Sequence, residues 1–226
     1  MRLALFDLDG TLLAIDSDHA FGEFMVRIGW ADEAEFRRRN DAFFQQYLAG
    51  ALDIDAYIDF ATAPWRDRDA QELVNVTRDF IAQSIRPVLH ANALALVRQH
   101  RQAGDTMAIV TATNEFVTRP IAELFGVRDL IATELVRDAA GRVNGRIQGT
   151  ASFRQGKVGR LDQWLAVRGQ SRGDFSQIYF YSDSTNDLPL LEQVSHPVAT
   201  TPSPALAQIA NERGWPILRL FEPAQA

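Results

Sequence analysis

RLALFDLDGT, residues 2–11, is the stretch that decides how the chain is read. Residues 2–8 carry an apolar run typical of a buried strand, and that run ends in acidic residues and then in Gly10, a turn signal. Period-two geometry places the carboxylates of Asp7 and Asp9 on the same side of the chain as the strand gives way to a loop. Two like charges that close are unfavourable unless a cation or a proton lies between them. For a lone pair of aspartates, an acidic strand-to-turn junction is the more ordinary explanation of the pattern.

Downstream of this strand the pattern changes. From about residue 16 to residue 86 strand-like runs disappear and helical periodicity replaces them: Phe21, Phe24, Met25 and Ile28, then Phe36, Phe43, Phe44 and Tyr47, then Tyr57, Ile58 and Phe60, then Leu73, Val76, Phe80 and Ile81. About four helices are expected, with breaks at Gly29, Gly50, Ala63-Pro64 and Arg86-Pro87. Beyond Pro87 helix and strand alternate. The pattern predicts helices over 91–102, 115–125, 157–167 and 205–213. Strands are predicted over 106–111, 130–134, 177–181, 197–200 and 216–220. A short polar hairpin is predicted between 135 and 149, at Ala140-Gly141 and Asn144-Gly145. Such alternation argues for right-handed crossovers and an α/β fold with a doubly wound, mostly parallel sheet. The expected organisation is a core of residues 1–14 and 87–226 with an all-helical cap domain, residues 15–86, inserted after the first strand.

Composition sets outer limits. At 226 residues, 46% apolar and 23% charged, the chain has the make-up of a globular protein with one sizeable core. Its formal net charge of −6 argues against nucleic acid and anionic membrane surfaces as partners. The absence of cysteine rules out disulfides, thiolate metal sites and a cysteine nucleophile, and is consistent with a reducing compartment such as the cytoplasm. No apolar run approaches the roughly 20 residues that span a bilayer, so neither a signal peptide nor a membrane anchor is expected. A monomer or homodimer acting on a small molecule fits this profile.

Ligands of open parallel sheets bind beyond the carboxyl ends of the strands, and three further polar clusters fall at such places. Ser182-Asp183-Ser184-Thr185-Asn186-Asp187 follows an apolar strand, and a helix starting near Ser184 would set Asp183 and Asp187 four residues apart around its first turn. A helix cap accounts for one of these aspartates but not for the other or for the asparagine. Thr111-Ala112-Thr113-Asn114 puts a hydroxyl at a strand end before a helix, which suits an N-cap and also an anion site. Gly156-Lys157 opens an amphipathic helix; a lone lysine there is ordinarily a solvated charge.

Together and in this order, Asp7 to Thr11, Thr111, Lys157 and Asp183 to Asp187 resemble the four motifs of the haloacid dehalogenase superfamily of aspartate-nucleophile phosphohydrolases. The helical insertion resembles the small cap of its phosphoserine-phosphatase-like branch. The resemblance spans essentially the whole chain. It implies that Asp7 attacks phosphorus to form an aspartyl-phosphate and that Asp9 serves as general acid and then general base. It also implies a Mg²⁺ ion held by Asp7, the Asp9 backbone carbonyl and Asp183, with Asp187 orienting this set or touching the metal. Thr111 and Lys157 would bind phosphate oxygens, and Asn114 and Asn186 are further candidates for the substrate side. Two departures are mild: Thr111 stands where phosphoserine phosphatases usually carry Ser, and Thr185-Asn186 where they carry Gly-Ala.

Substrate choice is expected from the cap and the loop after Asp9. Asp16 lies where phosphoserine phosphatases carry an acid for the substrate ammonium, although Asp16 or Asp18 serves equally well as the N-cap of the first cap helix. No cationic clamp for a carboxylate can be assigned; Arg66 and Arg68 lie in a plausible region, but surface arginines are common. The stretches TATNEFVTRPIA, ATELV, FRQGKV and FYSDSTNDLPLLE resemble a bacterial sub-branch in which histidinol-phosphate phosphatases occur. That ranks histidinol phosphate first, phosphoserine second and another small phosphorylated alcohol third. A phosphotransferase would use the same residues, and a non-catalytic relative would show eroded motifs. The four histidines, His19, His90, His100 and His196, lack a metal-ligand spacing and read as structural or exposed. Trp30 and Trp65 read as packing residues, with a cap pocket as their alternative.

Overall fold

A computed structural model describes residues 1–221. The first strand, β1 (Arg2–Phe6), lies in the middle of a six-stranded sheet. Its side chains alternate between two separate hydrophobic layers. Leu3 and Leu5 face one layer, Ala4 and Phe6 the other, so both faces are buried and the strand reads as one apolar run.

Four helices follow β1, as the periodicity predicts: α1 (Ser17–Arg27), α2 (Glu33–Leu48), α3 (Ile54–Thr62) and α4 (Ala70–Phe80). Each begins at an aspartate, Asp16, Asp32, Asp53 and Asp69, whose side chain accepts a hydrogen bond from the third residue onward. At Asp69 the cap is reciprocal, since Glu72 returns a bond to the Asp69 N–H. Gly22 lets α2 approach α1: a methyl group there would meet Asn40 Nδ2 at 2.7 Å and the Phe36 ring at 2.8 Å. α4 runs into a wider turn over 81–85 and a tight one at Arg86–Val88, where Pro87 lacks the N–H needed to continue a helix.

The alternating half then builds the sheet through α5 (Ala91–Gln102), β2 (Thr106–Asn114), α6 (Glu115–Phe125) and β3 (Asp129–Thr133). An antiparallel hairpin, β4 (Leu135–Arg137) and β5 (Val143–Ile147), precedes α7 (Gln155–Val167) and β6 (Gln177–Ser182). The chain continues with α8 (Leu188–Leu191), β7 (His196–Thr200), α9 (Pro204–Arg213) and β8 (Ile217–Leu218). Strand order is β3-β2-β1-β6-β7-β8, and every pairing in this sheet is parallel. The fold is the doubly wound α/β arrangement expected. The chain fills the sheet from β1 to β2 and β3 on one side, then crosses from β3 to β6 on the other, so the carboxyl ends of β1, β2 and β6 meet at the switch point.

Two elements differ from expectation. β2 extends to Asn114 instead of ending at Thr111, and its register with β3 slips between Val110 and Asn114, so Thr111 to Thr113 form an irregular strand end. After Asp183 the chain makes a tight turn at Thr185–Asp187 and then only the four-residue α8, which Pro189 starts. The inserted helices share the core's apolar layer: Phe21, Phe24, Ile58, Trp65 and Phe80 lie in one cluster with Phe6, Val117 and Ile121. Trp65 stacks on Phe116 with ring centroids 4.2 Å apart.

Candidate active site

The switch point gathers charge into an apolar setting. Asp7 still donates its N–H to the Tyr181 carbonyl of β6; beyond it the amides of Thr11, Leu12 and Leu13 turn back to the Leu8 carbonyl. Gly10 makes this turn at φ +75°, and a methyl group there would collide with the Asp183 carboxylate. Asp7 is buried. Its Oδ1 accepts from Lys157 Nζ at 2.8 Å and its Oδ2 from the Thr11 hydroxyl at 3.3 Å. Lys157, in the first turn of α7, also reaches Asp187 at 2.7 Å, and only 2% of its side chain is exposed. The Ser182 hydroxyl completes the hold on Asp187 at 2.8 Å. Asp183 accepts from Thr11 at 3.0 Å.

Burial alone would depress the Lys157 ammonium, but Asp187 and Asp7 hold it above its ordinary value. Burial pushes the Asp7 carboxyl up, to about 7, against the pull of Lys157. Asp183 is likewise raised, by burial and then by the charges of Asp7 and Asp187. Too many negative charges share this corner for one ammonium to neutralise. Among the described residues no three His, Asp or Glu side chains form a ready metal cluster. Two crowded carboxylates, Asp7 and Asp183, do offer hard oxygen donors of the kind a Mg²⁺ ion takes, with backbone carbonyl or water for the remainder. Asp187 is engaged by Lys157 and Ser182, which suits a residue that orients others.

Asp9 has a separate environment. Its Oδ1 accepts from the Ser17 N–H at 2.7 Å, and its Oδ2 from the Thr113 hydroxyl at 2.9 Å. Burial, with the charge of Asp16, raises its carboxyl to about 7, where a group can both give and take a proton near neutrality. Asp7 and Asp9 line one partly enclosed cavity of about 40 Å³, joined there by Thr111, Thr113 and Asp16. Thr113 lay inside a quoted motif, yet only the prolonged β2 reveals its use.

Two sequence candidates are used elsewhere. Asn114 caps α6 through the Val117 N–H and directs its Nδ2 to Asp18 at 3.4 Å, without lining the cavity. Asn186 joins the core to α2: its Nδ2 donates to the Tyr47 carbonyl at 3.0 Å, and its Oδ1 accepts from Arg154 Nε at 3.2 Å. Arg154, at φ 52°, also donates to the Gly50 carbonyl, so one arginine holds both partners. Asp16 does line the cavity, and it also caps α1.

The rest of the cavity wall comes from the inserted helices: Asp18, His19, Phe43, Phe44, Tyr47 and Tyr57 among others. The aromatic residues had read as one apolar helix face. Phe43, Phe44 and Tyr47 sit on an otherwise polar helix and remain half-buried, and that mismatch is the signal that could have marked them. His19, read as structural or exposed, lies on the cavity wall with its Nε2 2.9 Å from Asp41. Trp65 is core and Trp30 packs under Arg68, so neither lines the pocket; Arg66 pairs with Asp59.

Residues 4–192 match the family model of haloacid dehalogenase-like hydrolases. The chain belongs to this family. Within it, the chain is 44% identical over 217 residues to a histidinol-phosphatase of Neisseria meningitidis serogroup C, covering 96% of this chain and 98% of that protein. A phosphoserine phosphatase, SerB1, of Mycobacterium tuberculosis is 28% identical, covering 95% of this chain and 69% of that protein. Among solved structures, a Bordetella pertussis protein of unknown function superposes with a TM-score of 0.92 at 50% identity, covering 97% and 99% of the two chains. A substrate-bound phosphoserine phosphatase shares the fold at a TM-score of 0.67 and 15% identity, covering 96% and 91%. The haloacid dehalogenase-like fold expected from the four motifs is therefore the fold found.

Proposed function

We propose that this phosphoric monoester hydrolase of the haloacid dehalogenase-like family cleaves histidinol phosphate through an aspartyl-phosphate on Asp7. The observation that carries the chemistry is the division between two carboxylates on one cavity. Asp7 is pinned by Lys157, whereas Asp9 is held by Ser17 and Thr113 with its carboxyl at about 7. One is oriented as a nucleophile, the other poised for proton transfer.

In the first half-reaction an Asp7 oxygen attacks phosphorus, the ester P–O bond breaks, and Asp9 gives its proton to the departing alkoxide. In the second, Asp9 takes a proton from water, whose oxygen attacks the phosphorus and releases inorganic phosphate from Asp7. Lys157 and Thr111 bind phosphate oxygens. A Mg²⁺ ion would be held by Asp7, Asp183 and the Asp9 backbone carbonyl; when bound it offsets the charge gathered on the transferring group.

Two things support histidinol phosphate. The relative that carries 44% identity over nearly its whole length is a histidinol-phosphatase. The cavity, with acidic and aromatic side chains and no Lys or Arg among the described residues that line it, suits an amine and an imidazole better than a substrate carboxylate. Residues 15–86 act as the cap. A cavity of about 40 Å³ has room for a few waters, so a phosphate ester enters only when part of the cap moves.

The test is phosphate release from histidinol phosphate, phosphoserine and phenyl phosphate, with Mg²⁺ or chelator, in wild type and Asp7→Asn. Histidinol phosphate should have the highest kcat/KM, with activity lost in chelator and in the variant. Phosphoserine matching or exceeding it would remove the substrate assignment. Turnover by Asp7→Asn would remove the nucleophile.

A further inference from the structure

The cap side of the cavity holds a carboxylate with one buried oxygen left unpaired among the described residues. Asp18 is 6% exposed, and its Oδ2 accepts no hydrogen bond among the described residues. Its Oδ1 has only the long 3.4 Å approach of Asn114 Nδ2. The Tyr57 hydroxyl lies near enough to lower the Asp18 pKa, yet no well-aligned bond from it reaches Oδ2. An anionic oxygen left bare in so dry a place is unfavourable until a cation meets it.

Asp16, the acid that the sequence offers for this role, is engaged through one oxygen. Its Oδ1 accepts the His19 N–H at 2.8 Å as the cap of α1. His19 in turn directs its Nε2 to Asp41. Among the described residues no Lys or Arg lines this cavity, His19 on its wall faces Asp41, and Phe43, Phe44 and Tyr57 supply rings whose faces attract positive charge. A buried acid with an unpaired oxygen, aromatic walls and no Lys or Arg among the described lining residues make a receptor for a small organic cation.

We propose that Asp18, and not the capping Asp16, anchors the substrate's primary ammonium, with the rings of Phe43, Phe44 and Tyr57 closing around it. The inference rests on the reading of this cavity as a site for a small phosphate ester and adds the residue that selects which ester. Burial first, then the charges of Asp16 and Asp9, raise the Asp18 carboxyl to about 8. A bound ammonium reverses that effect and holds it ionised.

The test is a ratio of ratios. kcat/KM is measured for histidinol phosphate, for its analogue lacking the amine, and for phosphoserine and phosphoethanolamine, in wild type, Asp18→Asn and Asp16→Asn. Asp18→Asn should lower the preference for amine-bearing over amine-free ester at least tenfold, and more than Asp16→Asn does. Calorimetric affinity for histidinol itself, read without turnover, should weaken by a similar factor. An unchanged preference with unchanged histidinol affinity, or a larger effect at Asp16, overturns the inference. If wild type prefers another amino ester and Asp18→Asn still abolishes that preference, the histidinol assignment fails and the ammonium anchor stands. A wild-type enzyme indifferent to the amine overturns the anchor while leaving the phosphatase chemistry intact.

Discussion

Replacing Lys157 with methionine removes one charge from a buried triad while nearly preserving the side chain's volume. The ammonium stands 2.8 Å from Asp7 and 2.7 Å from Asp187, and all three side chains are at most 4% exposed. Removing one partner of a buried ion pair costs about 3–5 kcal/mol, because the remaining charge stays desolvated. Here one cation serves two anions, with Asp183 close by, so a loss of about 4–5 kcal/mol is expected at pH 8 in chelator. A domain whose stability lies above the low end of the usual range of about 5–15 kcal/mol would still fold. Urea unfolding followed by tryptophan fluorescence reads the difference. The companion variant Asp7→Asn/Lys157→Met/Asp187→Asn removes every charge of the triad and should recover most of the loss, to within about 2 kcal/mol of wild type. A Lys157→Met variant within about 1 kcal/mol of wild type, or a triple variant no more stable than the single one, would refute the reasoning.

Gly10→Ala should cost at least about 1–2 kcal/mol in urea unfolding and reduce kcat at least tenfold, because its φ of +75° disfavours a side chain and a methyl group would displace Asp183. Normal activity would mean that the Asp183 carboxylate is free to shift. Arg154→Gly removes the guanidinium from the Gly50 carbonyl and from Asn186, while glycine accepts the φ of 52°. Amide exchange over residues 45–53 should quicken with global stability changed by less than about 1 kcal/mol; unchanged exchange would discard this tie. Asp18→Asn should change the pH dependence of stability. The folded carboxyl is raised from 3.8 to about 8 by burial, Asp16 and Asp9, so the native protein binds the proton more tightly than the unfolded chain and loses stability as pH rises from 4 to 8. Against wild type the variant should gain at least about 1 kcal/mol, and at most about 6, at pH 9, and much less at pH 4. A pH-independent difference would show that Asp18 titrates normally.

The fold and the centre of the site were legible because strand ends carry their chemistry in sequence. Asp7, Asp9, Thr111, Lys157 and Asp183 sit at or just beyond elements whose patterns were unambiguous, and a parallel sheet brings such ends together whatever the loops do. Local pattern could not show which of several polar groups a side chain chooses. Asn114 and Asn186 looked like substrate ligands, but one caps α6 and the other holds α2. Asp16 and Asp18 are two residues apart, equally acidic and both on the cavity wall; only the fold reveals that the first caps a helix and that the second keeps a buried Oδ2 without a hydrogen bond among the described residues. His19 and the aromatic residues of α2 were missed because periodicity reports that a face is apolar and not what it covers.

The same packing argues for where the cavity opens. Swinging out all of residues 15–86 would expose Phe21, Phe24, Ile58, Trp65 and Phe80, which share one apolar cluster with Phe6 and Ile121. At roughly 2 kcal/mol for each large side chain uncovered, that motion costs more than a small phosphate ester can return on binding. The second half of α2 is held differently. Asn40 and Phe36 anchor the middle and start of the helix against α1, but Phe43, Phe44 and Tyr47 are half-buried over the cavity. Beyond them, Asn186 on the Tyr47 carbonyl and Arg154 on the Gly50 carbonyl tie the helix end to the core. Polar bonds of this kind exchange with water at a net cost of about 1 kcal/mol each. Opening at the end of α2 would therefore uncover the proposed phosphate site for far less than lifting the whole cap, and would leave Asp18 fixed on α1 to meet the ammonium of the proposed substrate.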